Sequence, residues 1–188
     1  MATKLSEAEF TVLRRTIASR GTTRMVLVPV TLLGWAALSL ALLLFSDLPV
    51  AALLPLGVLA GGFEAIHALH VGTERIGRYL QVYYETDPEG PRWETTALAV
   101  GPALPGGGID PLFSVVFVLA SAVNLIIALL PEPSPIELGV VGTVHVAYVF
   151  RVVRARGAAS RQRAVELESF KALRSQDARS RPQDTPRI

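Results

Sequence analysis

Four stretches of the chain are mainly apolar, and each is long enough to form a helix that crosses a bilayer. They cover residues 25–45, 49–71, 111–130 and 135–153. A transmembrane helix needs about 20 apolar residues, because the hydrocarbon core is about 30 Å thick and each residue adds about 1.5 Å. The pattern therefore predicts an all-α integral membrane protein with four transmembrane helices.

Positive charge is distributed unevenly between the connections of these helices. The connections at 46–48 and 131–134 contain no lysine or arginine. All 18 basic residues lie before the first span, in the loop after the second, or from Arg151 onward. Since short loops rich in lysine and arginine mark the cytoplasmic side, both termini are predicted to be cytoplasmic, with two short outer hairpins.

Polar segments flank the membrane bundle 25–153 at both ends. Residues 1–24 are predicted to form a cytoplasmic amphipathic helix that begins with a capping box at Ser6 and Glu9 and ends at Gly21. The basic tail 154–188 has a helix-forming first part with a modest apolar face, and the pattern indicates disorder after about residue 176. Both amphipathic helices are expected to lie at the inner leaflet.

The second span has no break where it would leave the membrane. Good helix formers continue as far as Glu85, so helix 2 is predicted to extend into the cytoplasm as part of the loop 72–110. Trp93, in the apolar part of that loop, is typical of an interfacial anchor. At the start of the fourth span, Ser134 and Glu137 have the spacing of a capping box, so Glu137 is expected to begin a helix.

Polar residues, all but one of them ionisable, form a stripe along helix 2. At 100° per residue, the stripe covers about a third of the helix circumference. Its members are Glu64, His67, His70, Glu74, Arg78, Gln81 and Glu85. Charges within a span are costly, so they usually have a partner or a function. His145, in the fourth span, is expected at a depth similar to that of His67.

Three hypotheses account for the stripe. In the first, Glu64, His67 and His145 form a buried hydrogen-bonded cluster that links spans 2 and 4. In the second, the histidines bind a cofactor. In the third, the stripe is a proton or ion path through a small oligomeric transporter or channel, because chains of Glu and His residues serve as relays.

The cofactor hypothesis has two forms. His67 and His145 would be the axial ligands of a b-type haem, with Arg75 and Arg78 near its propionates or near lipid headgroups. Alternatively, a transition metal would be bound by a set of carboxylate and imidazole ligands, namely Glu64, His67, His70 and Glu74 together with His145. Either site would make the chain a membrane electron-transfer or metal protein.

The composition of the chain supports a membrane protein and excludes several classes of active site. The chain is 51% hydrophobic with a mean hydropathy of +0.42, which is typical of a membrane protein. It has no cysteine, which excludes iron–sulfur clusters, thiolate metal sites and thiol nucleophiles. The glycines at 106–108 are not followed by the lysine of a phosphate loop. No catalytic constellation is evident, so the sequence favours a protein that is not an enzyme.

The favoured interpretation is an accessory, assembly or scaffold subunit of a bacterial cytoplasmic membrane. The strong preference for arginine over lysine is typical of bacteria with GC-rich genomes. Tyr79, Tyr83 and Trp93 are candidate contacts with a protein partner or a second copy, because aromatic residues are enriched at interfaces. Lipid headgroups explain the basic tail, so nucleic acid is not an expected partner.

Overall fold

The structure is a computed structural model that describes residues 2–86, 89–90, 92–100 and 111–180, and the regular elements in these ranges are all helices. The prediction of an all-α protein is confirmed. The elements are α1 (Ala2–Phe45), a 3₁₀ helix (Pro49–Ala52), α2 (Leu53–Tyr83), α3 (Trp93–Val100), α4 (Pro111–Leu129) and α5 (Pro135–Ser180).

Three helical stretches are long and apolar enough to cross a bilayer. They lie in α1, in the 3₁₀ helix with α2, and in α5. The apolar part of α4, Ser114–Leu129, is shorter. The length and composition of the described helices are therefore compatible with a membrane protein that has three long spans, and α4 is the helix that a fourth span would require.

The prediction that a separate N-terminal helix ends at Gly21 is wrong, because α1 runs without a break from Ala2 to Phe45. The capping box at Ser6 fails for the same reason, since the helix has already begun. A glycine inside a helix costs only about 1 kcal/mol relative to alanine. Here α1 packs against α2, and Arg14 in its N-terminal half binds Glu94 of α3, so these contacts offset that cost.

The predicted interfacial helices at the two ends are also not separate elements. Each is the continuation of a long helix, and each uses its apolar face to cover aromatic residues near the end of α2. Phe10 lies 5.5 Å from Tyr84, and Phe170 lies 5.8 Å from Tyr79, measured between ring centroids. Helix α5 continues to Ser180, four residues beyond the predicted end, and residues 181–188 lie outside the described part of the chain.

Helix α2 is the centre of the bundle, because each of the other described helices contacts it. Four of its side chains, Leu56, Leu59, Phe63 and Ile66, form a buried core with residues of α4 and α5. Since the apolar faces of three helices meet there, the core holds α2, α4 and α5 together. The helical extension of α2 beyond residue 71 is confirmed, and it ends at Tyr83 rather than Glu85.

Helices α1 and α2 are in close contact at Gly62. A Cβ atom at this position would lie 2.1 Å from Cγ2 of Thr31, so only glycine fits without a shift of the helices. A Cβ atom at Gly139 or Gly142 in α5 would have no neighbour within 4 Å. A small residue therefore permits a close helix contact at Gly62, whereas these two glycines of α5 serve no such contact.

The start of α1, the end of α2, α3 and the end of α5 lie together, and we call this part the polar end of the bundle. Glu9 accepts a hydrogen bond from Tyr84 at 2.6 Å, and Arg174 donates to the carbonyl oxygen of Val82 at 2.6 Å. Helix α5 is therefore parallel to α2. At the opposite end, Ser134 and Glu137 form the predicted capping box, in which Glu137 accepts from the Ser134 amide at 2.9 Å.

Candidate functional site: the polar face of α2

Glu64 does not belong to a buried cluster. Its carboxylate accepts a hydrogen bond from Arg151 of α5 at 2.7 Å, and both side chains are about half exposed, at 48% and 47%. Neither His67 nor His145 bonds to it within the described residues. The predicted mutual hydrogen bonding of Glu64, His67 and His145 is therefore wrong.

Glu74 is the centre of a second group of charges. It forms ion pairs with Arg163 of α5 and, at 3.4 Å, with Arg78 of its own helix. His70 lies 3.7 Å away, and its Nδ1 atom accepts a hydrogen bond from Arg24 of α1 at 3.1 Å. Glu74 therefore connects α2 to α5, whereas His70 connects α2 to α1.

Arg75 and Arg78 have a common partner in α5. Glu166 receives a hydrogen bond from Arg75 at 2.9 Å on one carboxylate oxygen and from Arg78 on the other. The side chain of Arg78 is only 6% exposed. Burial alone would raise the pKa of Glu166, but the hydrogen bonds from the two arginines outweigh it and lower the pKa to about 2. Both arginines are thus engaged within the protein.

The pairs between α2 and α5 follow one register. Glu64 pairs with a residue 87 positions later, Glu74 with one 89 positions later, Arg78 with one 88 positions later and Arg75 with one 91 positions later. Because the helices are parallel, offsets that agree to within about one turn bring successive turns into contact. We call this row of ion pairs the α2–α5 seam, and its members are Glu64, Glu74, Arg75 and Arg78 of α2 with Arg151, Arg163 and Glu166 of α5.

Sequence reasoning did not identify the α5 members of the seam. They could have been found by assuming that α2 and α5 are parallel and by searching for residues of opposite charge about 88 positions apart in the chain. The stripe on α2 is explained by this pairing, because a charge that faces a matched charge on a neighbouring helix needs no further ligand.

His145 is buried, at 2% exposure, beside Asn124 of α4. Asn124 donates to Nε2 of His145 at 3.0 Å and to the carbonyl oxygen of Ala52 at 2.9 Å. The other ring nitrogen, Nδ1, lies 2.8 Å from the carbonyl oxygen of Val141. Since Nε2 accepts, Nδ1 must carry the proton, and His145 is a neutral histidine with both ring nitrogens engaged.

Asn124 is the hub of this buried group. Its side-chain oxygen accepts from Trp35 at 3.2 Å and from Ser39 at 3.4 Å. One amide therefore connects α1, the 3₁₀ helix, α4 and α5. The residue is fully buried, and its role as a hydrogen bond between helices fits the usual use of polar side chains in membrane bundles.

These contacts bear directly on the cofactor hypothesis. An axial ligand of haem needs a ring nitrogen that is available to iron, and His145 has neither nitrogen available in this arrangement. Nε2 of His67 is buried without a hydrogen-bond partner among the described residues. Within residues 2–86, 89–90, 92–100 and 111–180, no group of three or more His, Asp or Glu side chains has a spacing that would hold a metal ion.

Helix α3 is fixed to the polar end by Glu85. This carboxylate accepts hydrogen bonds at 2.7 Å from the backbone amides of Glu94 and Thr95, so it caps the first turn of α3 from the turn that follows α2. Arg14 of α1 binds Glu94 at 2.9 Å and lies 3.8 Å from Glu85. Burial raises the pKa of Glu94 despite this arginine. Trp93 remains 68% exposed.

The two candidate contact tyrosines have internal roles. Tyr79 donates to Glu9 of α1 at 3.0 Å and stacks on Tyr83 with ring centroids 4.6 Å apart. Burial and the nearby Glu9 carboxylate raise the pKa of Tyr79 to about 12, so its hydroxyl remains a donor at neutral pH. Of the three predicted contacts, Trp93 is the one that is mainly exposed.

Comparison with known proteins gives no relative: no family model matches the chain, and no characterised protein or solved structure is significantly similar to it.

Proposed function

We propose that this chain is a non-enzymatic accessory, assembly or scaffold subunit of a bacterial cytoplasmic membrane. In this proposal it crosses the bilayer four times, and α4 is the third span. Both termini and the polar end of the bundle are cytoplasmic. The α2–α5 seam is the observation that carries the proposal.

The seam supports a scaffold because it uses the ionisable residues of α2 to join helices. Arg75, Arg78 and Glu166 bind one another, and Glu74 binds Arg163. Groups that are saturated by internal ion pairs are poorly suited to acid–base catalysis, which needs a side chain that can exchange a proton with a substrate.

The length and direction of the helices support a platform that presents a surface to a partner. Helices α1 and α5 contain 44 and 46 residues, so each is about 66–69 Å long, roughly twice the thickness of the hydrocarbon core. Glu85 and Arg14 fix α3 at the polar end and leave Trp93 exposed. A large aromatic side chain on a fixed helix is suited to bind a protein partner.

The topology is tested by labelling single cysteines in intact cells. The chain contains no cysteine, so each introduced thiol is unique. With a maleimide that does not cross membranes, Asp47→Cys in the first hairpin should react in intact cells. Thr11→Cys and Arg179→Cys should react only after the membrane is permeabilised. The reverse pattern would overturn the proposed orientation.

The partner is tested with a photo-cross-linking amino acid at position 93 in the native host. We expect one discrete cross-linked protein. The same probe at Leu33, which is 69% exposed in the apolar part of α1, should give lipid adducts only. A cross-link to a second copy of this chain would show that position 93 contacts another copy rather than a different protein. Absence of any protein cross-link at position 93 would contradict the scaffold role of α3.

A further inference from the structure

A groove of about 680 Å³ lies at the polar end, between the end of α2, α3 and the last turns of α5. The groove is shallow and open to solvent, so a ligand would lie along its surface. The groove has no role in the seam or in the contact proposed for Trp93.

Three cations line the groove from different positions. Arg92 precedes α3, whereas Lys171 and Arg174 lie one turn apart on α5. Arg92 has no side-chain partner in the part of the chain that the structure describes. Lys171 pairs with Glu168 on the exposed surface of its own helix, and such pairs are weak. Arg174 uses Nη1 to bind Val82, which orients its guanidinium group at the edge of the groove.

The carboxylate of the groove lining does not cancel this charge. Glu85 has a side chain that is only 1% exposed, and its two oxygens face the first turn of α3 and Arg14. Its negative charge is therefore compensated by Arg14 and by the donors of α3. The remaining polar lining consists of hydroxyl and amide groups, which are Gln81, Thr86, Thr95 and Ser175.

The lining also includes three apolar residues, Val82, Leu167 and Ala178. A ligand that matches this lining has an anionic group for the basic residues and an apolar part that contacts these side chains. Arginine and lysine with hydroxyl donors are the side chains that bind phosphate groups in proteins.

The position of the groove favours a soluble ligand over a lipid headgroup, and this step rests on the topology proposed above. Gln81 lies ten residues beyond position 71, where the second span is predicted to end. Ten helical residues correspond to about 15 Å. We therefore propose that this groove binds a soluble, phosphate-bearing small molecule on the cytoplasmic side.

The test is isothermal titration of the full-length protein in nanodiscs of neutral phosphatidylcholine, with ADP and pyrophosphate as probes and adenosine as the phosphate-free comparison. We expect ADP and pyrophosphate to bind and adenosine not to bind. Arg92→Gln and Lys171→Gln should each weaken binding about tenfold or more, because each removes a charge-assisted contact. Neither residue joins two helices, so the fold should be unaffected.

Arg161→Gln is the matched control, since it removes one exposed charge from α5 outside the groove. Its affinity for ADP should be unchanged. Absence of binding by both phosphate probes at millimolar concentration would overturn the proposal. An equal loss in Arg161→Gln would do the same, since it would show non-specific charge attraction. Loss of ADP binding in nanodiscs that contain phosphatidylglycerol would assign the groove to lipid headgroups instead. Each of these results is independent of the labelling and cross-linking outcomes.

Discussion

Arg78 of α2 and Glu166 of α5 are 88 residues apart in the chain and form an ion pair in which the arginine side chain is 6% exposed. Removing one member of such a pair leaves a buried charge without its partner, which typically costs about 3–5 kcal/mol. Glu166→Gln should therefore lower the free energy of unfolding by about 3 kcal/mol, because Glu74 still lies near Arg78. Denaturant titration in detergent, followed by circular dichroism, measures this change.

Glu168→Gln is the matched control for that substitution. Glu168 is on the same helix, its side chain is 72% exposed, and its partner is the nearby Lys171. An exposed pair contributes about 0–1 kcal/mol, so this variant should unfold almost as the wild type does. Similar losses in the two variants would mean that the seam has no special role in stability.

The stability that Glu166 contributes should depend on pH. Its pKa is lowered from 4.5 to about 2 in the folded protein by Arg75 and Arg78. A carboxyl group with a lowered pKa stabilises the fold fully above its unfolded value, and this contribution is lost as pH falls towards the folded value. The difference in melting temperature between wild type and Glu166→Gln should be largest above about pH 5 and shrink towards about pH 2. A difference that stays constant over this range would contradict the assigned ion pair.

The contact with Thr31 leaves no room at position 62 for a side chain larger than that of glycine. In Gly62→Ala the new Cβ would meet the Thr31 side chain, so α1 and α2 must separate. Such overpacking typically costs about 1–3 kcal/mol. Gly61→Ala is the control, since a Cβ atom at position 61 would have no neighbour within 4 Å and alanine favours a helix. The thermal unfolding temperature should fall in Gly62→Ala only. A fall in both variants would mean that α2 is destabilised by any replacement of glycine by alanine and that the contact with Thr31 is not the cause.

Asn124 and Ser121 lie one turn apart on α4, and both are buried, but only Asn124 has hydrogen-bond partners among the described residues. Asn124→Ala breaks four hydrogen bonds. Hydrogen bonds between membrane helices contribute about 0.6 kcal/mol each on average, so a loss of about 2 kcal/mol is expected. Ser121→Ala should be neutral or slightly stabilising, because it removes an unpaired hydroxyl group. Thermal unfolding of both variants checks the contrast, and equal stability of the two would refute the hub role.

The sequence predicts best those features that depend on local pattern. The apolar runs predict the positions of the helices, and the helix formers that continue after residue 71 predict the extension of α2. The capping box at Ser134 and Glu137 is also correct, since all its atoms lie within one turn. Gly21 does not end a helix because contacts of Arg14 with α2 and α3, which are distant in sequence, hold the helix through it.

The candidate site is harder to predict for a physical reason. The stripe on α2 is visible from periodicity, but the partner of each charge depends on which helix packs beside α2 and in which register. His145 could approach either the histidines of α2 or polar residues of α4. The pairing with Asn124 follows from the way in which α4 and α5 pack, and periodicity within α5 alone does not contain that information.

The narrow range of offsets in the α2–α5 seam, 87–91 residues, sets a limit on how the chain can vary in length. A single residue inserted in α5 between Arg151 and Arg163 would turn the rest of the helix by about 100° and advance it by about 1.5 Å. Glu64 would keep its arginine, whereas Glu74, Arg75 and Arg78 would lose their partners in α5 together. An insertion of seven residues, about two turns, would return the later side chains to the face of α5 that contacts α2. It would still shift each of them along the helix by about 10 Å relative to its partner. Length changes in homologous chains should therefore accumulate in the hairpins or beyond Ser180, and the distance between Arg151 and Glu166 should be kept.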